Sequence, residues 1–318
     1  MLSIQGSRVL VTGGSGLIGS HTVDALLKEG VERVTVLDSY INKDNLSEVL
    51  GRPDVSIVAG NLNDQDAVNH ALQGTDYVIH LAGLLLLPSM RDPHKAIKVN
   101  IDGTFDLLEL ALDKGVKKVV YASSVSVYGT PKTNDPVDED YPFYNRTIYG
   151  AGKIACEQLC RVLNDTRGLD YIALRYSSVY GPRQHLDGLY PRLIMQTLAA
   201  INENRVPRIE GSGNEVQDLI YVEDVARANV LALKCDISDR AYNIVSGIPV
   251  TIKDVLTTVL QLRESSLPIE FIPKQSGKEL VAKRRFSGAR AEKDIGFLPQ
   301  TGLHEGLRRM IAWASSWK

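Results

Sequence analysis

The sequence predicts an α/β protein built on a doubly wound parallel sheet. Three observations predict it: short, near-continuous apolar runs alternate with helical patterns through the first half of the chain, the first run opens into a glycine-rich turn, and the second run ends on an acid. Unbroken apolar runs mark strands covered by helices on both faces. Strand–helix alternation with short turns makes such strands parallel.

Taken in order, Arg8–Thr12 (RVLVT) is the first strand and Leu17–Glu29 the first helix. Arg33–Leu37 (RVTVL) is the second strand, Val55–Ala59 the third, and a helix begun by Asp64 follows. Asp76–Leu81 (DYVIHL) is the fourth strand, a long helical stretch covers Lys95–Lys114, and Lys117–Ala122 (KKVVYA) is the fifth. Helix Tyr149–Asn164 and strand Tyr171–Leu174 complete the regular part. Right-handed crossovers then make a Rossmann-type topology the economical one. After Tyr176 the rhythm changes. Pro182, Pro191 and Pro207 interrupt it, and helices near Tyr190–Asn202, Glu223–Leu233, Ile252–Arg263 and Leu303–Ser315 alternate with short strands. Residues 1–176 read as a dinucleotide-binding domain. Residues 177–318 read mainly as a smaller α/β substrate-binding domain, with some segments returning to the first.

Composition narrows the function. The chain has 318 residues, 44% apolar and 23% charged, which is the make-up of a globular enzyme-sized protein. A net charge of −2 without a clustered basic face argues against nucleic acid as a partner. The densest basic run, Lys283-Arg284-Arg285, reads as a solvated turn. Three cysteines, Cys156, Cys160 and Cys235, argue against a disulfide framework and for a reducing compartment. Cys156 and Cys160 share a helical face but have no further Cys or His nearby at ligand spacing, so they read as packing, and no metal is expected. The first residues lack a basic region followed by an apolar one, and Leu84–Leu87, expected in a loop that faces the substrate, is too short to span a bilayer. The expectation is a cytoplasmic protein with no membrane partner.

The glycine-rich turn is Gly13-Gly14-Ser15-Gly16-Leu17-Ile18-Gly19, set between the first strand and the first helix. Glycines there let backbone approach a pyrophosphate, and the helix N-terminus supplies N–H donors and a positive dipole end. Such a motif alone is weak evidence; the strand before it, the helix after it and an acid at the end of the next strand supply the context. That acid is Asp38, placed to accept from ribose hydroxyls and to repel a 2′-phosphate, which favours NAD over NADP.

The spacing of glycines resembles the short-chain dehydrogenase/reductase family, in its extended branch of sugar-nucleotide epimerases and dehydratases, and the resemblance runs along nearly the whole chain. Gly60-Asn61-Leu62-Asn63-Asp64 resembles the family's G-D-L-x-D segment, with Asn61 where an acid usually faces the adenine. His80-Leu81-Ala82-Gly83 resembles its segment beside the cofactor, and Val99-Asn100-Ile101-Asp102-Gly103-Thr104 its N-V-x-G-T motif. The resemblance thus implies Asn61, Leu62, Leu81, Ala82, Gly83, Asn100 and Ser123 as further cofactor contacts.

The catalytic candidates follow from position. Ser123-Ser124 ends the fifth strand, at the sheet edge where open α/β sheets bind ligands. Tyr149 and Lys153 stand four apart at the start of the next helix and share one face. A free phenol, with its pKa near 10, is a poor base at neutral pH. An ammonium one turn away favours the phenolate, and cofactor charge adds to this. Lys153 can also hold the nicotinamide ribose, and Ser124 can hydrogen-bond a substrate hydroxyl. In the family these three residue types form the catalytic triad.

Val125 and Ser126 stand where the family's 4,6-dehydratases resemble one another in an Asp-Glu pair, and its decarboxylases typically have Glu at the place of Ser126. Ser123-Ser124-Val125-Ser126-Val127-Tyr128-Gly129 is most similar to the 4-epimerase branch. The implied reaction is inversion of a sugar carbon, C4, through a transient keto intermediate, the sugar being nucleotide-linked or a related polyol. A dehydrogenase or ketoreductase with net redox, and a non-catalytic NAD-binding regulator, stay open as alternatives. Downstream, Leu174–Gln184 resembles L-R-Y-F-N-V-Y-G-P-R-Q: Tyr176 is implied beside the nicotinamide, and Ser178 replaces an Asn aimed at the sugar-phosphate. Gln217-Asp218 replaces the Arg-Asp whose Arg pairs with the pyrophosphate. A second such Arg is missing from the nearest match, Ser276-Gly277-Lys278-Glu279. Since a pyrophosphate wants charged partners, Arg183, Arg192, Lys283, Arg284 and Arg285 are the candidates to compensate. Relatives commonly pair the helices around Lys95–Lys114 and Tyr149–Asn164, which implies a homodimer.

Overall fold

The computed structural model describes residues 2–184, 189–273 and 284–316, with the side chains of 189–192 and 316 left aside. Its strands are β1 (Arg8–Thr12), β2 (Arg33–Asp38), β3 (Val55–Ala59), β4 (Tyr77–His80), β5 (Lys118–Ser124), β6 (Tyr171–Tyr176), β7 (Ser178–Tyr180), β8 (Arg208–Glu210), β9 (Val216–Tyr221), β10 (Arg240–Ile244), β11 (Pro249–Thr251) and β12 (Glu270–Ile272). The helices are α1 (Leu17–Lys28), α2 (Gln65–Ala71), α3 (Leu86–Arg91), α4 (Pro93–Ile97), α5 (Gly103–Asp113), α6 (Ile148–Arg167), α7 (Leu189–Asn202), α8 (Val222–Lys234), α9 (Ile252–Leu262), α10 (Ala289–Ile295) and α11 (Leu303–Ser316).

Seven strands form one parallel sheet in the order β10-β6-β5-β4-β1-β2-β3. Alternation along each strand feeds two cores. Val9, Val11, Val34, Val36, Val120 and Ile172 pack toward α1 and α8. Leu10, Leu37, Val78, Val119, Tyr121 and Ala173 pack on the other face with α5 and α6, where Cys156 and Cys160 are also buried. Both faces are covered, as the apolar runs require.

The chain reverses direction in the sheet between β1 and β4. The crevice this leaves at the carboxyl ends of the strands is where such sheets take ligands. After β6 the chain lays down β7 and β9, returns through β10, which pairs with β6 from Arg240↔Ile172 to Ile244↔Tyr176, and completes a second sheet, β11-β9-β7, with β11. One carboxylate joins these pieces. Asp218 of β9 is buried and accepts from Ser177 Oγ (2.7 Å) and from the backbone N–H of Ser246 (2.8 Å) and Gly247 (2.8 Å).

Two elements differ from expectation. The helix expected over Lys95–Lys114 is broken. Pro93–Ile97 runs into a π-helical turn, Lys98–Asp102, before α5 begins at Gly103. Asn100 lies in that turn and clamps the loop after β4, donating from Nδ2 to Leu84 O (2.9 Å) and accepting from Leu84 N at Oδ1 (2.7 Å). The widened turn lets its side chain reach out of the helix, a common use of π-turns at functional sites. The leucines expected in a loop are half helical, since α3 begins at Leu86.

Candidate active site

The phosphate turn is held closed by backbone contacts. Gly13 has φ +66°, and a Cβ there would lie 2.9 Å from Ala82 N; a Cβ at Gly19 would collide with Gly13 O. Gly16 caps α1 in an extended conformation without any side-chain hydrogen bond, and the first turn carries no acid. The N-terminal donors of this 12-residue helix are therefore free for an anion. Asp38 flanks the turn. It accepts from Ser15 N (3.1 Å), Ser15 Oγ (2.9 Å) and Tyr40 N (3.3 Å), which fixes its carboxylate at the crevice. A cradle with no room for Cβ atoms, free helix donors and a fixed acid fits a dinucleotide.

The other cofactor candidates line the same edge. Leu81, Ala82 and Gly83 follow β4, with Leu81 N bonded to Thr12 O (3.1 Å) and Ala82 N to Thr12 Oγ1 (3.2 Å). Leu62 is buried, while Asn61 is exposed and accepts from Asn63 N (3.2 Å). His80 sits under this edge between Thr12 Oγ1 (2.6 Å) and Thr104 Oγ1 (2.9 Å); burial and then the Lys153 charge lower its pKa to about 3, so it is neutral.

The catalytic candidates converge between β5 and α6. Thr147 caps α6, its Oγ1 accepting from Gly150 N (3.0 Å), which sets the helix start at Ile148 and brings Tyr149 into the first turn. Ser124 ends β5. Its Oγ accepts from Ser126 N (3.2 Å), and its interaction with the Tyr149 phenol draws that pKa down. Burial outweighs this and leaves the phenol above its ordinary value. The acidifying influence of Lys153 expected from the sequence does not prevail in the protein alone. Lys153 Nζ lies 5.7 Å from the Tyr149 ring centre, 4.9 Å from that of Tyr121, and donates to Ala122 O (2.6 Å). Burial lowers its own pKa to about 8.

Beneath these groups lies a charge pair that sequence reasoning missed. Glu157, one turn beyond Lys153, accepts from Arg175 Nε (3.0 Å) and Nη2 (2.6 Å) and from Ser123 Oγ. Both charged side chains are about 5% exposed. Arg175 also stacks on Tyr128 and Phe143 and donates to Tyr128 OH (2.8 Å). So Ser123, expected as a cofactor contact, spends its hydroxyl on Glu157. The signal available in sequence was the i, i+4 spacing from Lys153.

The remaining candidates, Tyr176 for the nicotinamide and the others for the substrate, fare unevenly. Tyr176 stands opposite Ser124 in the β5–β6 register, but its hydroxyl donates into the core, to Asn229 Oδ1 (2.5 Å). Ser178 is half-buried in β7. Arg183 is not a free cation. Its guanidinium, 14% exposed, pairs with Asp24 of α1 at 2.7 Å, so a neighbouring carboxylate already takes the charge meant to compensate a pyrophosphate. Gln217 is 2% exposed, and its Oε1 has no hydrogen-bond partner among the described residues. Arg285 is exposed, with its carbonyl accepting from Val137 N (2.9 Å). Lys283 and Ser276–Glu279 lie outside the described residues, as does the side chain of Arg192.

With this geometry in place, comparison with known proteins adds the following. A family model, the NAD dependent epimerase/dehydratase family, matches residues 9–245. The chain is 30% identical to a UDP-glucose 4-epimerase of Bacillus subtilis, over 97% of this chain and 97% of that protein. It is 31% identical to a UDP-N-acetyl-alpha-D-glucosaminuronate decarboxylase of Bacillus cytotoxicus, over 96% of this chain and 97% of that one. The solved structure of a UDP-N-acetylglucosamine 4-epimerase from Methanobrevibacter ruminantium, in complex with UDP-N-acetylmuramic acid, superposes with a TM-score of 0.90 at 31% identity, covering 99% of this chain and 100% of that one.

Proposed function

We propose that this chain, which belongs to the NAD-dependent epimerase/dehydratase family, binds NAD and inverts C4 of a nucleotide-linked sugar through a transient 4-keto intermediate. The observation that carries this reading is the make-up of the site: Ser124, Tyr149 and Lys153 converge, and among the described residues no second free acid accompanies them. Val125 and Ser126 follow Ser124, and the nearest carboxylate in the α6 network, Glu157, is spent on Arg175 and Ser123. Elimination of water or loss of carboxylate calls for a further acid/base or a different ground state; oxidation and re-reduction at one carbon need only a group that takes a proton and returns it.

In this mechanism the turn from Gly13 to Gly19 and the N-terminus of α1 hold the pyrophosphate, and Asp38 holds a ribose. NAD, when bound, supplies a hydride acceptor that becomes the donor, and a positive charge. Tyr149 takes the proton of the substrate hydroxyl and gives it back. Ser124 accepts or donates a hydrogen bond at the same oxygen, and Lys153 opposes the phenolate's charge.

The test is a screen of UDP-glucose, UDP-N-acetylglucosamine and free sugars, following product stereochemistry and NADH absorbance together. C4 inversion without net NADH is the expected result; stoichiometric NADH overturns it in favour of a dehydrogenase. Tyr149→Phe is expected to lower turnover by at least ~100-fold with NAD binding retained, which also excludes a purely regulatory role. One observation favours the second reading. Gln217 is neutral and Arg183 is spent on Asp24, so among the described candidates the charge for a pyrophosphate falls to Arg284, whose buried Nε has no hydrogen-bond partner among the described residues, and to Arg285; a polyol lacking that group is the alternative substrate. We also infer a homodimer, supported by exposed apolar side chains on α3, α4 and α6, namely Met90, Ile97 and Val162. A monomer by sedimentation at micromolar concentration overturns that assignment.

A further inference from the structure

Three consecutive residues at the end of β5 are each engaged by α6. Ala122 O accepts from Lys153 Nζ (2.6 Å), Ser123 Oγ donates to Glu157, and Ser124 interacts with Tyr149. Arg175, opposite Ser123 in the β5–β6 register, grips Glu157 with two guanidinium nitrogens and ties it to Tyr128, which follows Ser124 in the next turn. Tyr128 continues the chain of contacts to Asn243 of β10 (2.7 Å). The groups facing Lys153 are Tyr149, Cys156 and Glu157 from its own helix, Tyr121 from β5 and His80 from β4. Burial raises the pKa of Tyr121, Tyr149 and Cys156 and lowers that of His80 to about 3, so these four are neutral near pH 7. Glu157 is the remaining anion among the described residues that face the ammonium.

We propose that Glu157 is a positioning residue for the reaction: clamped by Arg175, its carboxylate sets the register of Ala122–Ser124 against α6 and supplies the negative charge that keeps the Lys153 ammonium in place beside Tyr149. Glu157 does not touch the substrate; it acts through Lys153 and Ser123. A buried ion pair contributes little net stability compared with apolar packing, whereas a fixed charge one turn from a functional lysine has a specific effect on its proton. This inference rests on Tyr149 and Lys153 being the reacting pair, and its test includes a readout that needs no substrate.

The experiment uses the full chain with lysine labelled with 13C at Cε, and Lys153→Met to assign the Lys153 signal. The Lys153 titration midpoint is compared in the wild type, Glu157→Gln, Arg175→Gln, and the double variant Glu157→Gln with Arg175→Gln. The double variant leaves no buried charge unpaired and, because it also removes the Arg175 charge, is read against Arg175→Gln alone, so that the difference is the Glu157 charge. Ser123→Ala removes only the tether. Loss of the Glu157 charge is expected to lower the midpoint by roughly half a pH unit or more and to move the alkaline limb of the rate profile down with it. Ser123→Ala is expected to leave the midpoint in place while kcat falls about tenfold at unchanged KM, the mark of lost alignment. An unchanged midpoint on loss of the Glu157 charge, in Glu157→Gln against the wild type or in the double variant against Arg175→Gln, overturns the proposal, as does wild-type kcat in Ser123→Ala. If the wild type turns over none of the sugars screened, the functional reading fails separately, and the lysine titration still decides the role of Glu157.

Discussion

Lys153 carries its ammonium into the interior with the Ala122 carbonyl and two aromatic faces for company, and burial brings its pKa from 10.5 to about 8. Between those values the unfolded chain binds a proton that the folded chain has released, so this group's contribution to stability rises as pH rises through the window. Below pH 8 the fold bears the full cost of the buried charge. Lys153→Met is therefore expected to abolish turnover and to stabilise the fold at pH 7 by roughly 1–3 kcal/mol; urea denaturation at pH 7 and at pH 10 checks this, the gain shrinking at the higher pH. Tyr149, Lys153 and Ser124 were legible in the sequence because helix spacing and a strand end place them without any knowledge of distant contacts. Glu157 and Arg175 were not, because a charged residue in an amphipathic helix reads as a solvated one. The partner that buries Glu157 lies 18 residues further on, across a strand boundary.

At the scale of elements, α6 depends on its first turn. Thr147 Oγ1 accepts from Gly150 N, and Thr147 is itself fixed by Asn145, whose Oδ1 accepts from Thr147 N (3.0 Å) and Oγ1 (2.8 Å). Thr147→Ala is expected to cost about 1 kcal/mol of stability and to lower kcat, since Tyr149 lies two residues into the turn that frays. Thr147→Ser restores both, as seen in denaturation midpoints and initial rates. Six of the seven parallel strands were read from apolar runs, each within two residues of its bounds; β10 was not named, since it lies in the part of the chain where the rhythm has changed. The long helix expected across Lys95–Lys114 was not, because its interruption comes from a side-chain clamp between Asn100 and Leu84. Such a contact leaves no trace in helical periodicity. The strand β5 runs two residues beyond its expected end, to Ser124, because β6 continues to pair with it through Tyr176.

For the whole molecule, Asp218 is the joint between the large sheet and the smaller one. It is buried, its pKa is raised by that burial, and three donors offset the cost. Asp218→Asn keeps the shape but sets an amide group against donors; it is expected to lower stability by roughly 2–3 kcal/mol, read as a lower urea midpoint. The Asp was visible within a motif, yet its partner Ser177 is brought to it by the β7–β9 pairing and Ser246 by the return of β10. The Arg183–Asp24 pair likewise joins residues 159 apart, which is why Arg183 read as a free cation. That pair has a further consequence. Arg183 sits at φ +66°, in the left-handed region that favours glycine, and holds Asp24 on the very helix whose first turn forms the anion cradle. The neighbouring Pro182 carbonyl meets His21 of the same helix at 3.2 Å. Glycine at 183 relieves about 1 kcal/mol of backbone strain while releasing this latch, so the melting temperature barely moves. What changes is the tie between the segment after β7 and α1: with the ion pair gone, Arg183→Gly is expected to bind NAD more weakly at an almost unchanged melting temperature, as read by fluorescence titration.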